Sequence, residues 1–171
     1  PPRLGMVIFA LTALALLIAL RYAGPSARVV HPMSETPRQR ATALIERYYA
    51  AFNAGDWDGM VALLHEDVVH DLNQGARESG RAAFRAFLDR MARSYAERLR
   101  EIVVMASDDG TRAAAEYVVH GEYRVGEEGL PPARGQRYVL PGGAFFAVRD
   151  DRIARVSNYY NLQDWIAQVS R

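Results

Sequence analysis

The chain contains no cysteine. That absence removes disulfides, thiolate metal ligands and cysteine nucleophiles together. An excess of one charge is missing as well. Twenty-one Lys and Arg stand against 20 Asp and Glu, for a formal net charge of +1. Proteins hold nucleic acid through a basic stripe, so no nucleic-acid partner is expected. Histidine is sparse: His31, His65, His70 and His120. No two of these stand at i, i+4 on a helix or i, i+2 on a strand, so no metal site is expected. The Gly142-Gly143 pair has no Lys-Ser/Thr after it and is not a phosphate loop. Inside a strand pattern it reads as a bulge or bend. No serine sits in a Gly-x-Ser-x-Gly elbow. Residues 36–171 hold no internal repeat and no low-complexity run.

What is present begins with an apolar run. Residues 4–20 read LGMVIFALTALALLIAL, without a charge, between Arg3 and Arg21. A spanning helix needs roughly 20 apolar residues. A basic residue ahead of an apolar core is also the pattern of an export signal. Met33 opens MSETPRQR, which reads as a start of its own. Residues 1–32 are therefore set apart as a signal or anchor, or as a stretch ahead of the true start, and residues 33–171 form the domain. Membrane contact is expected only through residues 4–20. A chain starting at Met33 is expected to be cytoplasmic, and one keeping the run anchored or exported. A chain starting at Met33 should also melt at the same temperature as the whole.

Half the residues are apolar, enough for a core in one domain. Thr36, Pro37 and Gln39 make a helix start with a capping box. Ala41, Leu44, Ile45, Tyr48 and Phe52 follow at helical spacing, and Gly55 ends the helix. Asp56 caps a short second helix with Met60, Val61, Leu63 and Leu64. A strand carrying Val68, Val69 and Leu72 comes next. A third helix is expected from about Gly80 to Arg98, with Phe84, Phe87, Leu88, Met91 and Tyr95 as its buried face. From Leu99 the period changes to strands: LREIVVMA, TRAAAEYVVHGEYR, QRYVLPGGAFFAVRD and RIARVSNYY. LQDWIAQVS closes the chain as a helix. Helices first and antiparallel strands after argue for an α+β fold.

Two residues draw attention. Asp71 lies in an apolar strand, where an unpaired carboxylate is costly. Tyr48 lies on the inward stripe of the first helix, where a hydroxyl needs a partner.

The segment YYAAFNAGDWDGMVALL resembles the ketosteroid-isomerase branch of the NTF2-like superfamily, close to the SnoaL-like proteins. The resemblance extends over about 36–169. Tyr48 stands where those isomerases keep an oxyanion-hole tyrosine. Asp71, ahead of Glu78-Ser79-Gly80, stands where they keep a catalytic aspartate. HGEY, GLPPARGQ and NYYNLQDW look closer to the SnoaL-like, ketosteroid isomerase-related subgroup. One departure is visible. The isomerases' second donor, a neutral aspartic acid, falls here at Gly143 or Ala144, neither of which donates from a side chain. Ketosteroid isomerase is itself the reference case of that neutral acid.

The resemblance implies a cone: a strongly curved antiparallel sheet wrapped on three helices, enclosing one pocket. It implies Asp71 as general base and Tyr48 as oxyanion donor. The ligand would be a hydrophobic carbonyl compound, with no metal or organic cofactor. Substrate contacts are expected from Asn73, Gln74, Tyr117, Tyr123 and Phe146, with His120 and Tyr138 as further candidate donors. On the 113–124 strand, Tyr117, Val119, Gly121 and Tyr123 share the more apolar face, so His120 should point outward. The function is then an isomerase or an aldol-type cyclase, or a binding module without catalysis. A homodimer through the outer sheet face, near Val118 and His120, is also implied.

Overall fold

The computed structural model describes residues 34–72 and 75–171. Helix α1, Pro37–Ala54, begins with the full capping box, and Gly55 ends it in the left-handed region at φ 69°. A residue with a Cβ is strained there, so glycine suits the stop. Helix α2, Trp57–Ala62, is capped by Asp56. Strand β1, Leu64–Leu72, and the short β2, Arg77–Ser79, follow. Helix α3 is Arg81–Ser94. Strands β3, Tyr95–Ala106, β4, Arg112–Tyr123, β5, Gln136–Arg149, and β6, Arg152–Tyr160, make the body of the sheet. Helix α4, Leu162–Val169, ends the chain.

The six strands lie in the order β2-β1-β6-β5-β4-β3. Every neighbouring pair is antiparallel except β1 with β6. This is an α+β NTF2-like cone, with α1 held inside the sheet's curve. The core gathers Leu44, Ile45 and Tyr48 of α1 with Phe84 and Leu88 of α3 and Phe146 and Val156 of the sheet.

Two expectations are corrected. The third helix stops at Ser94, not near Arg98. Tyr95 is already extended, pairs with Tyr123 across the sheet and stacks on it at 5.3 Å and 16°. Strand pairing overrides the helical spacing that Tyr95 continues. The Gly142-Gly143 pair makes no bulge, because the register runs unbroken through it. Its glycines leave room instead: a Cβ on Gly142 would sit 3.1 Å from the Tyr117 ring. The irregularity falls in β3 between Arg100 and Val103, where Glu101 has φ 54°. Among the described residues no helix is long and apolar enough to cross a membrane. The expectations for residues 1–32 lie outside the described residues.

Candidate active site

A cavity of about 890 Å³ opens between α1, α3 and the inner face of the sheet. Tyr48, Tyr49 and Phe52 of α1 line one side, and Phe87, Leu88 and Met91 of α3 another. The sheet contributes Tyr95, Glu97, Leu99, Tyr117, Tyr138 and Asn158. Asn53 braces the corner: its side chain donates to the Leu99 carbonyl at 2.9 Å and accepts from the Leu99 N–H at 2.8 Å. That pair of bonds fixes the end of α1 against β3, two residues from Glu97.

Tyr48 faces the cavity and its hydroxyl makes no hydrogen bond among the described residues. Burial pushes its pKa well up, so it stays protonated and can donate. Its ring meets Phe146 edge-on at 5.7 Å. Tyr49 beside it carries a buried hydroxyl with no hydrogen-bond partner among the described residues. Tyr117 also lines the wall, 5.4 Å from the Tyr49 ring.

Asp71 does not face the cavity. Side chains alternate along a strand. In β1 it is His70 and Leu72 that turn inward, while Asp71 shares the outer face with its register partners Arg77 and Ser157. Arg77 donates to it at 2.6 Å and the Ser157 hydroxyl at 3.2 Å. The guanidinium holds its carboxyl below the usual carboxylate range. A base needs the opposite shift. The strand's alternation thus corrects the expected position of the base.

The other expected residues divide. Tyr138 lines the cavity. Tyr123 and Phe146 are fully buried core residues outside its wall, and the Tyr123 hydroxyl accepts from the Glu127 N–H. His120 belongs to the wall through its place in β4, but it pairs with Val139 and Arg98 on the outer side of the sheet. Asn73 and Gln74 lie outside the described residues.

Sequence reasoning missed Glu97. It stands on β3 opposite Gly121, which stands opposite Tyr138 on β5. A Cβ on Gly121 would come within 2.2 Å of the Tyr138 ring. That gap lets the Tyr138 hydroxyl cross β4 and donate to Glu97 Oε1. Among the described residues no cation offsets the enclosure, and burial raises the Glu97 pKa, with Tyr138 partly opposing. Apolar walls disfavour the charged carboxylate, and a single neutral donor offsets only part of that. Inward alternation from Tyr95 to Leu99 is the signal that could have found it, had the strand been started at Tyr95.

Sequence reasoning also missed His70 and Asn158. His70 is 1% exposed and packs against the rings of Phe84 and Phe87 at 4.6 and 4.5 Å. Its Nε2 lies 2.8 Å from Asn158 Oδ1. Burial lowers its pKa, so the ring is neutral at neutral pH.

Comparison with known proteins agrees with the fold. Residues 45–156 match the family model of the SnoaL-like domain. A candidate polyketide cyclase from Xanthomonas campestris pv. campestris is 69% identical, with a TM-score of 0.77 over 79% of this chain and 100% of that one. A candidate polyketide cyclase from Pseudomonas putida is 60% identical, with a TM-score of 0.74 over 75% of this chain and 97% of that one. A candidate ketosteroid isomerase from Kribbella flavida is 25% identical, with a TM-score of 0.54 over 74% of this chain and 81% of that one.

Proposed function

We propose, for a chain that belongs to the SnoaL-like domain family, that it is a cofactor-free enzyme acting on hydrophobic carbonyl compounds. The reaction is proton abstraction alpha to the carbonyl, followed by isomerisation or aldol-type ring closure. Glu97 takes the proton and Tyr48 donates to the enolate oxygen that develops.

The observation that carries the reading is the environment of Glu97. It is a cavity-facing carboxyl with no ion-pair partner among the described residues, its pKa raised by enclosure. General bases work best with a pKa near the operating pH, and a positioned base contributes about 10²–10⁴-fold. Tyr48 supplies what a base alone lacks. One well-placed oxyanion donor is worth about 10²–10³-fold. No step calls on a metal or an organic cofactor. The names of the two more similar neighbours support a cyclase, and that of the third an isomerase.

A second reading, a binding module without catalysis, is favoured by Asp71. The carboxylate at the position of the resembled base is tied to Arg77.

Exchange separates the two. With 2-tetralone in deuterium oxide, the protein should speed loss of the α-proton signals over buffer. Tyr48→Phe keeps the packing and should slow that exchange about 10²–10³-fold, while 2-tetralone binding stays within about tenfold. A protein that binds 2-tetralone without speeding exchange would leave the binding module.

A further inference from the structure

We propose that Asn158 grips the carbonyl oxygen of the bound ligand, and that His70 is the positioning residue that aims it. The proposal rests on the cavity being the ligand site, not on the role of Glu97.

Asn158 stands on the inner face of β6, between Leu72 of β1 and Ala144 of β5. It is half-buried and lines the cavity. Its Oδ1 is taken, because His70 Nε2 lies 2.8 Å away. A carbonyl oxygen only accepts, so the ring proton sits on Nε2. The amide can then turn only one way, with Nδ2 and its two N–H donors away from His70. Tyr117 takes one of those two donors, and the other is left for a ligand. An amide N–H held in that way suits a ketone oxygen.

His70 has little else to do. Among the described residues its Nδ1 has no hydrogen-bond partner, and 4.0 Å away Glu78 Oε2 has none either. The other Glu78 oxygen takes Arg90 at 2.9 Å. Phe84 and Phe87 pack against the ring from two adjoining sides. A leucine in this place would leave no unmet nitrogen, and a buried polar atom without a partner costs stability. The single side-chain bond that His70 makes among the described residues is the one that orients Asn158.

The test uses two probes of one shape, 2-acetylnaphthalene and 2-isopropylnaphthalene, of which only the first carries an oxygen. Their dissociation constants are measured with the full chain. Wild type should prefer the ketone. Asn158→Leu should cut that preference about tenfold, the value of one hydrogen bond. His70→Leu should cut it to a similar degree, although Asn158 is intact. His70→Gln carries an N–H donor in the place of Nε2 and should keep most of it. Unchanged hydrocarbon affinity shows an intact cavity in each variant. If His70→Leu does not fold, Asn158→Leu and His70→Gln decide between them. A ketone preference equal to wild type in Asn158→Leu would overturn the ligand contact. A preference lost in His70→Gln while hydrocarbon binding holds would overturn the positioning role. Because only binding is read, a failure of the carbon-acid reading would show separately, in the exchange assay.

Discussion

Two carboxylates in this fold are shifted in opposite directions, and the signs lead to different behaviour. Burial raises the Glu97 pKa. A folded-state pKa above the unfolded value means the native state holds its proton longer, so stability falls as pH rises through that window. Glu97→Gln removes the penalty. Its melting temperature at neutral pH should equal or exceed that of wild type, while exchange is lost. A fall in melting temperature at neutral pH would contradict the buried-acid description. Asp71 is the reverse case. Arg77 lowers its pKa, so its contribution is present above the unfolded value and is lost as pH falls through the folded one. The pair is partly exposed, with side-chain exposures of 66% and 28%. Asp71→Asn should therefore cost only about 0.2–1 kcal/mol at neutral pH, and the difference should vanish in acid, as read by thermal melts across pH. His70 adds to acid sensitivity. Its pKa is lowered by burial, so stability is lost as pH drops below the unfolded value toward the folded one.

At the scale of elements, what was legible was local. Thr36, Pro37 and Gln39 specify the start of α1 within four residues, and Gly55 its end. Thr36→Ala should lower stability by about 1 kcal/mol, measured by chemical denaturation. The start of β3 was not legible, because Tyr95 fits a helical stripe and is drawn out of it only by Tyr123, 28 positions on. Glu97 was hidden by that boundary, since a residue assigned to a helix end is not read for strand parity. The facing of β1 was obscured in a related way. Val68, Val69 and Leu72 are apolar on both parities, and only packing on α3 shows that His70 takes the inner side. The register of β1 on β6 also shifts between Leu64 and Val69, so counting forward from Leu64 misleads. Gly121 gives an element-scale test. Gly121→Ala should force the Tyr138 ring aside and destabilise by about 1–3 kcal/mol. Stability unchanged in that variant would mean Tyr138 does not lie across β4.

At the scale of the whole molecule, the outer face of the sheet is unusually apolar. Val103, Met105, Val139, Phe145 and Tyr159 are each about half exposed. Phe145 and Tyr159 meet edge-on at 5.6 Å. The strand register places all five on the side away from the cavity. A soluble monomer rarely leaves so many large apolar side chains together in water. We propose that this face pairs two copies of the chain, burying roughly 800 Å² on each. Light scattering should give a dimer at micromolar concentration, and Phe145→Asp should give a monomer with its cavity intact. A wild-type monomer at high micromolar concentration would refute the pairing.

The central claim is that the base is Glu97 inside the cavity, not Asp71 on the outer face. Deuterium exchange of 2-tetralone, measured by NMR in wild type, Glu97→Gln and Asp71→Asn, tests it most directly. The expected result is a loss of about 10²-fold or more in Glu97→Gln and a rate close to wild type in Asp71→Asn. Exchange that persists in Glu97→Gln and collapses in Asp71→Asn would contradict it.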